Sequence, residues 1–231
     1  DRSPSRGLGD VYKRQIYGHP TRDLTVIGVT GTSGKTTTSY LLEAGLLHAG
    51  HSVGLIGTTG TRINRTPVPT SLTTPEAPTL QELFARMKNE GVTHVVMEVS
   101  SHALELGRVR GTRFAVGGFT NLSQDHLDFH PTMEDYFQAK AKLFAGEQAA
   151  ERAVLCIDDE WGERMRGVAK SAGHPVTTVA TQGAAATISA RQTATEATGA
   201  QEVALNYDGA DFTFRLPLPG EFNICLLYTS D

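Results

Sequence analysis

The chain has 231 residues, enough for one domain of ordinary size, roughly 100 to 200 residues, with fragments of neighbours. Hydrophobic residues make up 39%, charged residues 20% and aromatics 7%, which excludes a fibrous, disordered or disulfide-scaffold chain. Lys plus Arg total 21 against 25 for Asp plus Glu, a formal charge of -4. No global basic field therefore exists to hold nucleic acid or an anionic membrane, and an anionic ligand has to be held locally. Cys156 and Cys225 lie far apart without a CxxC spacing, which fits a reducing cytoplasm and argues against a structural zinc cluster. No apolar run approaches the roughly 18 residues that a membrane span needs, so neither membrane insertion nor a signal peptide is expected.

Residues 1–15 carry charge, Gly and Pro without periodicity, and CLLYTSD from Cys225 interrupts a pattern begun at LPLPGEFN. Both ends are expected to be non-native, resembling translated adapter sequence, and the domain is expected over 16–224. Leu24 to Thr30 reads as a strand, followed by a Gly-rich turn and a helix on which Tyr40, Ala44 and Leu47 recur before Gly50. Val53 to Ile56 is a short strand, and the Thr/Pro-rich stretch from Thr58 to Pro78 is expected to be a binding loop. Thr79 and Glu82 fit a capping box, with Leu80, Leu83, Phe84 and Met87 on one helical face over 79–90. Further strands are expected at Val95–Val99, Phe114–Phe119, Ala153–Ile157 and Val176–Val179, and helices at Thr132–Phe144 and Glu160–Ala172. Continuous apolar strands alternating with helices imply an α/β fold, a mostly parallel P-loop-type sheet covered on both faces. Beyond the Ala/Thr-rich stretch 184–199, expected to be a loop with one short strand, the alternation of Val203, Leu205 and Tyr207, then Asp208-Gly209, then Phe212, Phe214 and Leu216 predicts a small antiparallel hairpin.

The strongest chemical signal is Gly31-Thr32-Ser33-Gly34-Lys35-Thr36-Thr37 between the first strand and the first helix. Backbone N–H groups and the positive helix end converge there on a polyphosphate site. Lys35 would neutralise phosphate oxygens and Thr36 would hold Mg²⁺. The spacing is a variant of the general motif, since Val29 stands five positions before Gly34. A phosphate-bound metal needs further hard ligands at strand ends. Glu98 ends an apolar run in which an unpaired carboxylate would be costly, whereas Asp158 and Asp159 read as structural. The polar cluster from Thr120 to Asp128 follows a strand, and its His126 is as consistent with a structural role as with a ligand. Lys140 shares an inward stripe with Met133, Phe137 and Phe144. Its amine either snorkels to solvent or, desolvated, becomes a neutral nucleophile open to carbamate formation with CO₂.

TGTSGKTTT, LTTPEAPTL, MEVSSHALELGRV, FTNLSQDHLDFHPTMEDYFQAKAKLF and LPLPGEFN, in this order and spacing, closely resemble the Mur ligases of peptidoglycan synthesis. Within that family they are most similar to the subgroup that adds the third amino acid, meso-diaminopimelate or L-lysine, to UDP-N-acetylmuramoyl-L-alanyl-D-glutamate. The resemblance implies a cytoplasmic, monomeric, ATP-dependent amide ligase working through an acyl phosphate, with this chain as its central ATP-binding domain. The uridine-binding and C-terminal domains would be largely absent, leaving little ligase activity in the piece alone. ATP contacts are implied for Gly31 to Thr37, Asn121 and Asn223, and Mg²⁺ ligands for Thr36, Glu98, His126 and a carbamate on Lys140. Contacts to the UDP-muramoyl dipeptide are implied for Thr73, Thr74, Ser100 and Arg108, while Leu72 and Leu106 depart from the family's Asn and Gln. A folylpolyglutamate-synthase-like ligase and a non-catalytic P-loop module are the alternatives. A GTPase-type switch has only a weak DxxG at Asp159 to Gly162 and no NKxD.

Overall fold

The computed structural model describes residues 18–70, 72–125, 129–220 and 222–228. The leader expected over 1–15 lies outside them. One eleven-stranded sheet runs through the molecule in the order β11-β10-β9-β8-β7-β6-β1-β5-β2-β3-β4. Its strands are β1 (Thr25–Thr30), β2 (Val53–Gly57), β3 (Gly60–Ile63), β4 (Thr66–Val68), β5 (His94–Glu98) and β6 (Val116–Phe119). β7 (Ala153–Cys156), β8 (Val176–Ala180), β9 (Ile188–Thr195), β10 (Gln201–Tyr207) and β11 (Ala210–Leu216) complete it. From β2 across to β9 all neighbours are parallel. β1 lies between β5 and β6 near the middle, buried along almost its whole length, as expected of a strand covered on both faces.

The helices are α1 (Lys35–His48), α2 (Ala77–Asn89), α3 (Ser101–Glu105), α4 (Met133–Ala141), α5 (Glu160–Ser171) and α6 (Phe222–Tyr228). Alternation along β1 divides the core. Ile27 and Val29 pack with Leu42 of α1, Val53, Leu55 and Val96. Val26 faces the other way, into the cluster that holds Phe84 and Met87 of α2, Phe137 of α4 and Met165 of α5.

Several expectations need correction. The stretch from Thr58 to Pro78 is not one loop: β3 and β4 pair antiparallel onto β2, so the sheet carries an antiparallel element at each edge. Thr-rich, β-branched residues found sheet partners where the Pro content had suggested none. Helix α2 starts at Ala77, two residues before the expected box, with Glu76 as N-cap and no side-chain cap bond; Pro78 in the first turn presets the backbone instead. The expected face of α2 is the buried one. On α1 the buried residues are Thr38, Ser39, Leu42 and Glu43, while Ala44 is exposed, because this helix turns the hydroxyl residues Thr38 and Ser39 inward. Ile188 to Thr195 is an eight-residue strand, longer than the short one expected within 184–199. Residues 222–228 form a helix whose Ile224, Cys225 and Leu226 are buried, so Cys225 and Leu226, at the start of the segment read as a tail, pack inward. Cys156 and Cys225, far apart in sequence, are joined as a disulfide across 6.4 Å between Cα atoms. The hairpin is as expected, with Val203 opposite Phe214 and Leu205 opposite Phe212 around an Asp208-Gly209 turn of positive φ.

Candidate active site

The site lies at the C-terminal ends of β1, β5, β2 and β6, where a parallel sheet presents its loops to ligands. β1 delivers Thr30 into the loop Gly31 to Gly34, and Gly34, in the left-handed region at φ 88, caps α1. Asn121, just after β6, clamps the loop at two points: its Oδ1 accepts from the Ser33 N–H at 3.0 Å and its Nδ2 donates to the Ser33 carbonyl at 3.1 Å. The Thr120 hydroxyl donates to the same carbonyl at 2.7 Å, and the Thr32 N–H donates to the Asn121 carbonyl at 3.0 Å. Thr32 Oγ1 meets the Tyr136 hydroxyl at 3.3 Å and accepts from the Ser123 N–H at 3.0 Å. The loop is therefore preshaped by the segment after β6.

Two lysine amines turn to the same main-chain oxygen. Lys35 Nζ donates to the carbonyls of Gly31 and Thr32, both at 2.9 Å, and Lys140 Nζ donates to Gly31 at 2.8 Å. Lys140 is only 1% exposed and its amine lies 4.4 Å from the Tyr136 ring centroid. Burial, and then the charge of Lys35, hold its pKa well below the usual lysine value, with Asp125 opposing. Burial also lowers the Lys35 pKa, against the pull of Glu98 and Asp125. The stem of Lys140 does not snorkel, since helix α4 carries it into the core.

Glu98, also 1% exposed, ends β5. Its Oε1 accepts from the Thr36 hydroxyl and from the Thr58 N–H, both at 3.0 Å, and its Oε2 from the Thr58 hydroxyl at 2.9 Å. Thr36 and Glu98 thus offer two hard oxygen donors side by side at the mouth of the phosphate loop, a donor set that suits Mg²⁺. His126 lies outside the described residues.

A second group adjoins on the same rim. The Thr74 hydroxyl donates to the Glu98 carbonyl at 2.9 Å and accepts from the Ser100 N–H at 3.4 Å. Arg108 donates to the Thr74 carbonyl at 3.5 Å and pairs with Glu76 at 2.8 Å. Ser100 caps α3 through its hydroxyl. Thr73 is half-buried beside them, and Leu106 stands 56% exposed. Asn223 lies in α6, its amide donating to the Pro219 carbonyl at 2.6 Å. Asp158 accepts from Thr181 and Gln182, and Asp159 caps α5, so both serve local structure as expected.

Thr58 and Tyr136 were not singled out from sequence, and Thr120 and Asp125 only as members of the polar cluster from Thr120 to Asp128. Thr58 follows the end of β2 and Tyr136 lies one helical turn before Lys140, so strand ends and the i, i+4 rule held a signal for both.

The sequence profile of the Mur ligase middle domain matches residues 29–225. The chain is 61% identical over 212 residues, 90% of its length, to the UDP-N-acetylmuramoyl-L-alanyl-D-glutamate--2,6-diaminopimelate ligase of Corynebacterium glutamicum, covering 40% of that protein. It is also 61% identical over 217 residues to the ligase of the same name in Corynebacterium efficiens, covering 93% of this chain and 40% of that one. A solved structure of a ligase of this name superposes with a TM-score of 0.83 at 31% identity, over 96% of this chain and 44% of the other. The chain spans less than half the length of these relatives.

Proposed function

Because the chain belongs to the Mur ligase family through its middle domain, we propose that residues 16–224 are the central ATP-binding domain of a ligase. The full protein would join 2,6-diaminopimelate to UDP-N-acetylmuramoyl-L-alanyl-D-glutamate. Diaminopimelate is named as substrate for the relatives at 61% identity. The observation that carries the reading is the convergence of Lys35 and Lys140 on the Gly31 carbonyl.

In the proposed reaction the side-chain carboxylate of the substrate's D-glutamate attacks the γ-phosphorus of ATP, the bond to the β,γ-bridging oxygen breaks, and ADP leaves. The diaminopimelate amine then attacks the acyl carbon, the C–O bond to phosphate breaks, and the amide forms with loss of a proton. Lys35 exchanges its carbonyl partners for phosphate oxygens and neutralises charge on the transferring group. The N–H groups of the first turn of α1 cradle the phosphates. Thr36 and Glu98, with His126 and a carboxylated Lys140, would hold Mg²⁺, which when bound supplies electrostatic stabilisation to the phosphates. Thr73, Thr74, Ser100 and Arg108 would orient the anionic muramoyl peptide, and Asn121 and Asn223 would border the nucleotide.

Two ammonium groups sharing one acceptor repel each other, so burial and Lys35 together favour a neutral Lys140 amine. Its lone pair attacks the carbon of CO₂, a C=O π pair moves to oxygen, and the nitrogen releases a proton to give the carbamate. The lysine then carries an anionic oxygen ligand.

The test is ADP release by the full-length protein with the muramoyl dipeptide and a panel of amines. Release that depends on both the dipeptide and diaminopimelate is expected; release indifferent to either overturns the reading. Incubation with ¹³C bicarbonate is expected to give a carbamate carbonyl resonance that Lys140→Arg abolishes.

A further inference from the structure

We propose that the Gly57-Thr58 turn is a positioning clamp for the Glu98 carboxylate and that Thr58 sets the affinity of the site for a divalent cation. The inference rests on the assignment of Glu98 as a metal ligand and goes beyond it, to a residue on a different loop.

Thr58 grips both carboxylate oxygens, through its backbone N–H on Oε1 and its hydroxyl on Oε2. The only other side chain hydrogen-bonded to that carboxylate among the described residues is Thr36, itself a candidate ligand, so Thr58 is the holder that is not a ligand. Gly57 allows the close approach: a β-carbon there would run into Glu98 Oε1. Glu98 ends β5 and Gly57 ends the neighbouring parallel strand β2, so the sheet brings the turn and the carboxylate together. The turn is in its strand pair tied to the phosphate-loop helix. Tyr40 of α1 meets the Thr59 hydroxyl at 2.6 Å, and Arg62 of β3 pairs with Glu43 of α1 while its guanidinium lies over the Tyr40 ring. Carboxylate, clamp and helix N-terminus therefore form one connected unit. A hydrogen bond from a neighbouring group fixes the rotamer of a ligating carboxylate, and losing such a partner commonly weakens metal binding 10- to 100-fold.

Thr58 is exposed, so replacing it opens no cavity. The experiment titrates Mn²⁺ into the chain with a non-hydrolysable ATP analogue, followed by electron paramagnetic resonance, for wild type, Thr58→Val, Thr58→Ser, Gly57→Ala and Glu98→Gln. Analogue affinity is measured in parallel without metal. Thr58→Val and Gly57→Ala are expected to weaken Mn²⁺ about 10-fold, Thr58→Ser to keep it within about threefold because the hydroxyl remains, and metal-free analogue affinity to stay within about twofold in all of them. Mn²⁺ affinity unchanged in Thr58→Val, or lost equally in Thr58→Ser, overturns the clamp, as does an equal loss of metal-free analogue binding. If Glu98→Gln leaves Mn²⁺ affinity intact, the metal-ligand assignment falls and the clamp with it. Loss in Glu98→Gln without loss in Thr58→Val sinks the clamp alone.

Discussion

Leu226 of α6 occupies the space that a β-carbon on Gly34 would need. Gly34 also holds φ 88 at the N-cap of α1, a conformation that L residues adopt only at a cost of about 1–2 kcal/mol. Gly34→Ala is therefore expected to destabilise the chain by about 2–4 kcal/mol, strain and clash together. In the Leu226→Ala background the same substitution should cost about 1 kcal/mol less, because the clash is gone and the strain is not. Urea denaturation of the double-mutant cycle reads this; strict additivity would mean that the two residues do not press on each other.

Lys35→Ala removes one of the two lysine amines hydrogen-bonded to the Gly31 carbonyl of the loop. ATP affinity should fall about 100-fold or more, the scale of a lost charge-assisted contact to phosphate of about 3 kcal/mol, while the urea midpoint shifts little because the Gly31 carbonyl keeps Lys140 as a donor and Thr32 is only half-buried. Unchanged ATP affinity by calorimetry would remove the phosphate-loop assignment.

Stability should rise with pH above neutrality. The buried Lys140 amine has its pKa held well below the usual lysine value, so through the window between that lowered value and about 10.4 the unfolded chain binds a proton that the folded chain has released. Unfolding free energy therefore increases with pH across that window. Lys140→Met should flatten the rise and raise stability at pH 7. Urea midpoints at pH 7 and 9.5 in CO₂-free buffer compare the two chains, and equal slopes would contradict a desolvated amine.

Helix caps separate two residues that look equivalent by sequence. The Asp159 carboxylate accepts from the Gly162 N–H at 2.7 Å, and Asp159→Ala should cost about 1 kcal/mol. Thr79 caps nothing, since α2 has already begun at Ala77, and Thr79→Ala should stay within about 0.5 kcal/mol of wild type. A thermal melt of each variant distinguishes them.

The parallel centre was legible because a strand buried on both faces is apolar along its middle, as VIGV of β1 and VVM of β5 are. The β3–β4 edge was not, because an antiparallel edge strand such as TPV buries little and leaves no apolar run to read, whereas the β10–β11 edge shows itself by alternation. Lys35 stood out through the Gly-rich loop between a strand and a helix, and Glu98 and Lys140 since each is a charged residue on an otherwise apolar run or stripe. Thr58, and the partner of Thr120 within its polar cluster, stayed hidden because a threonine at a strand end is ordinary, and only the strand order brings one to Glu98 and the other to Ser33. The face of α1 was misjudged for a related reason: Thr38 and Ser39 are buried, and periodicity counts only apolar residues.

Lys35 engages two backbone oxygens of its own loop, so its ammonium is never bare. Accepting a triphosphate would exchange one solvating shell for another rather than desolvate a free cation. The cradle would thus discriminate by geometry, favouring an anion able to match the spacing of those oxygens, and ionic strength would tune capture less steeply than for an open basic patch.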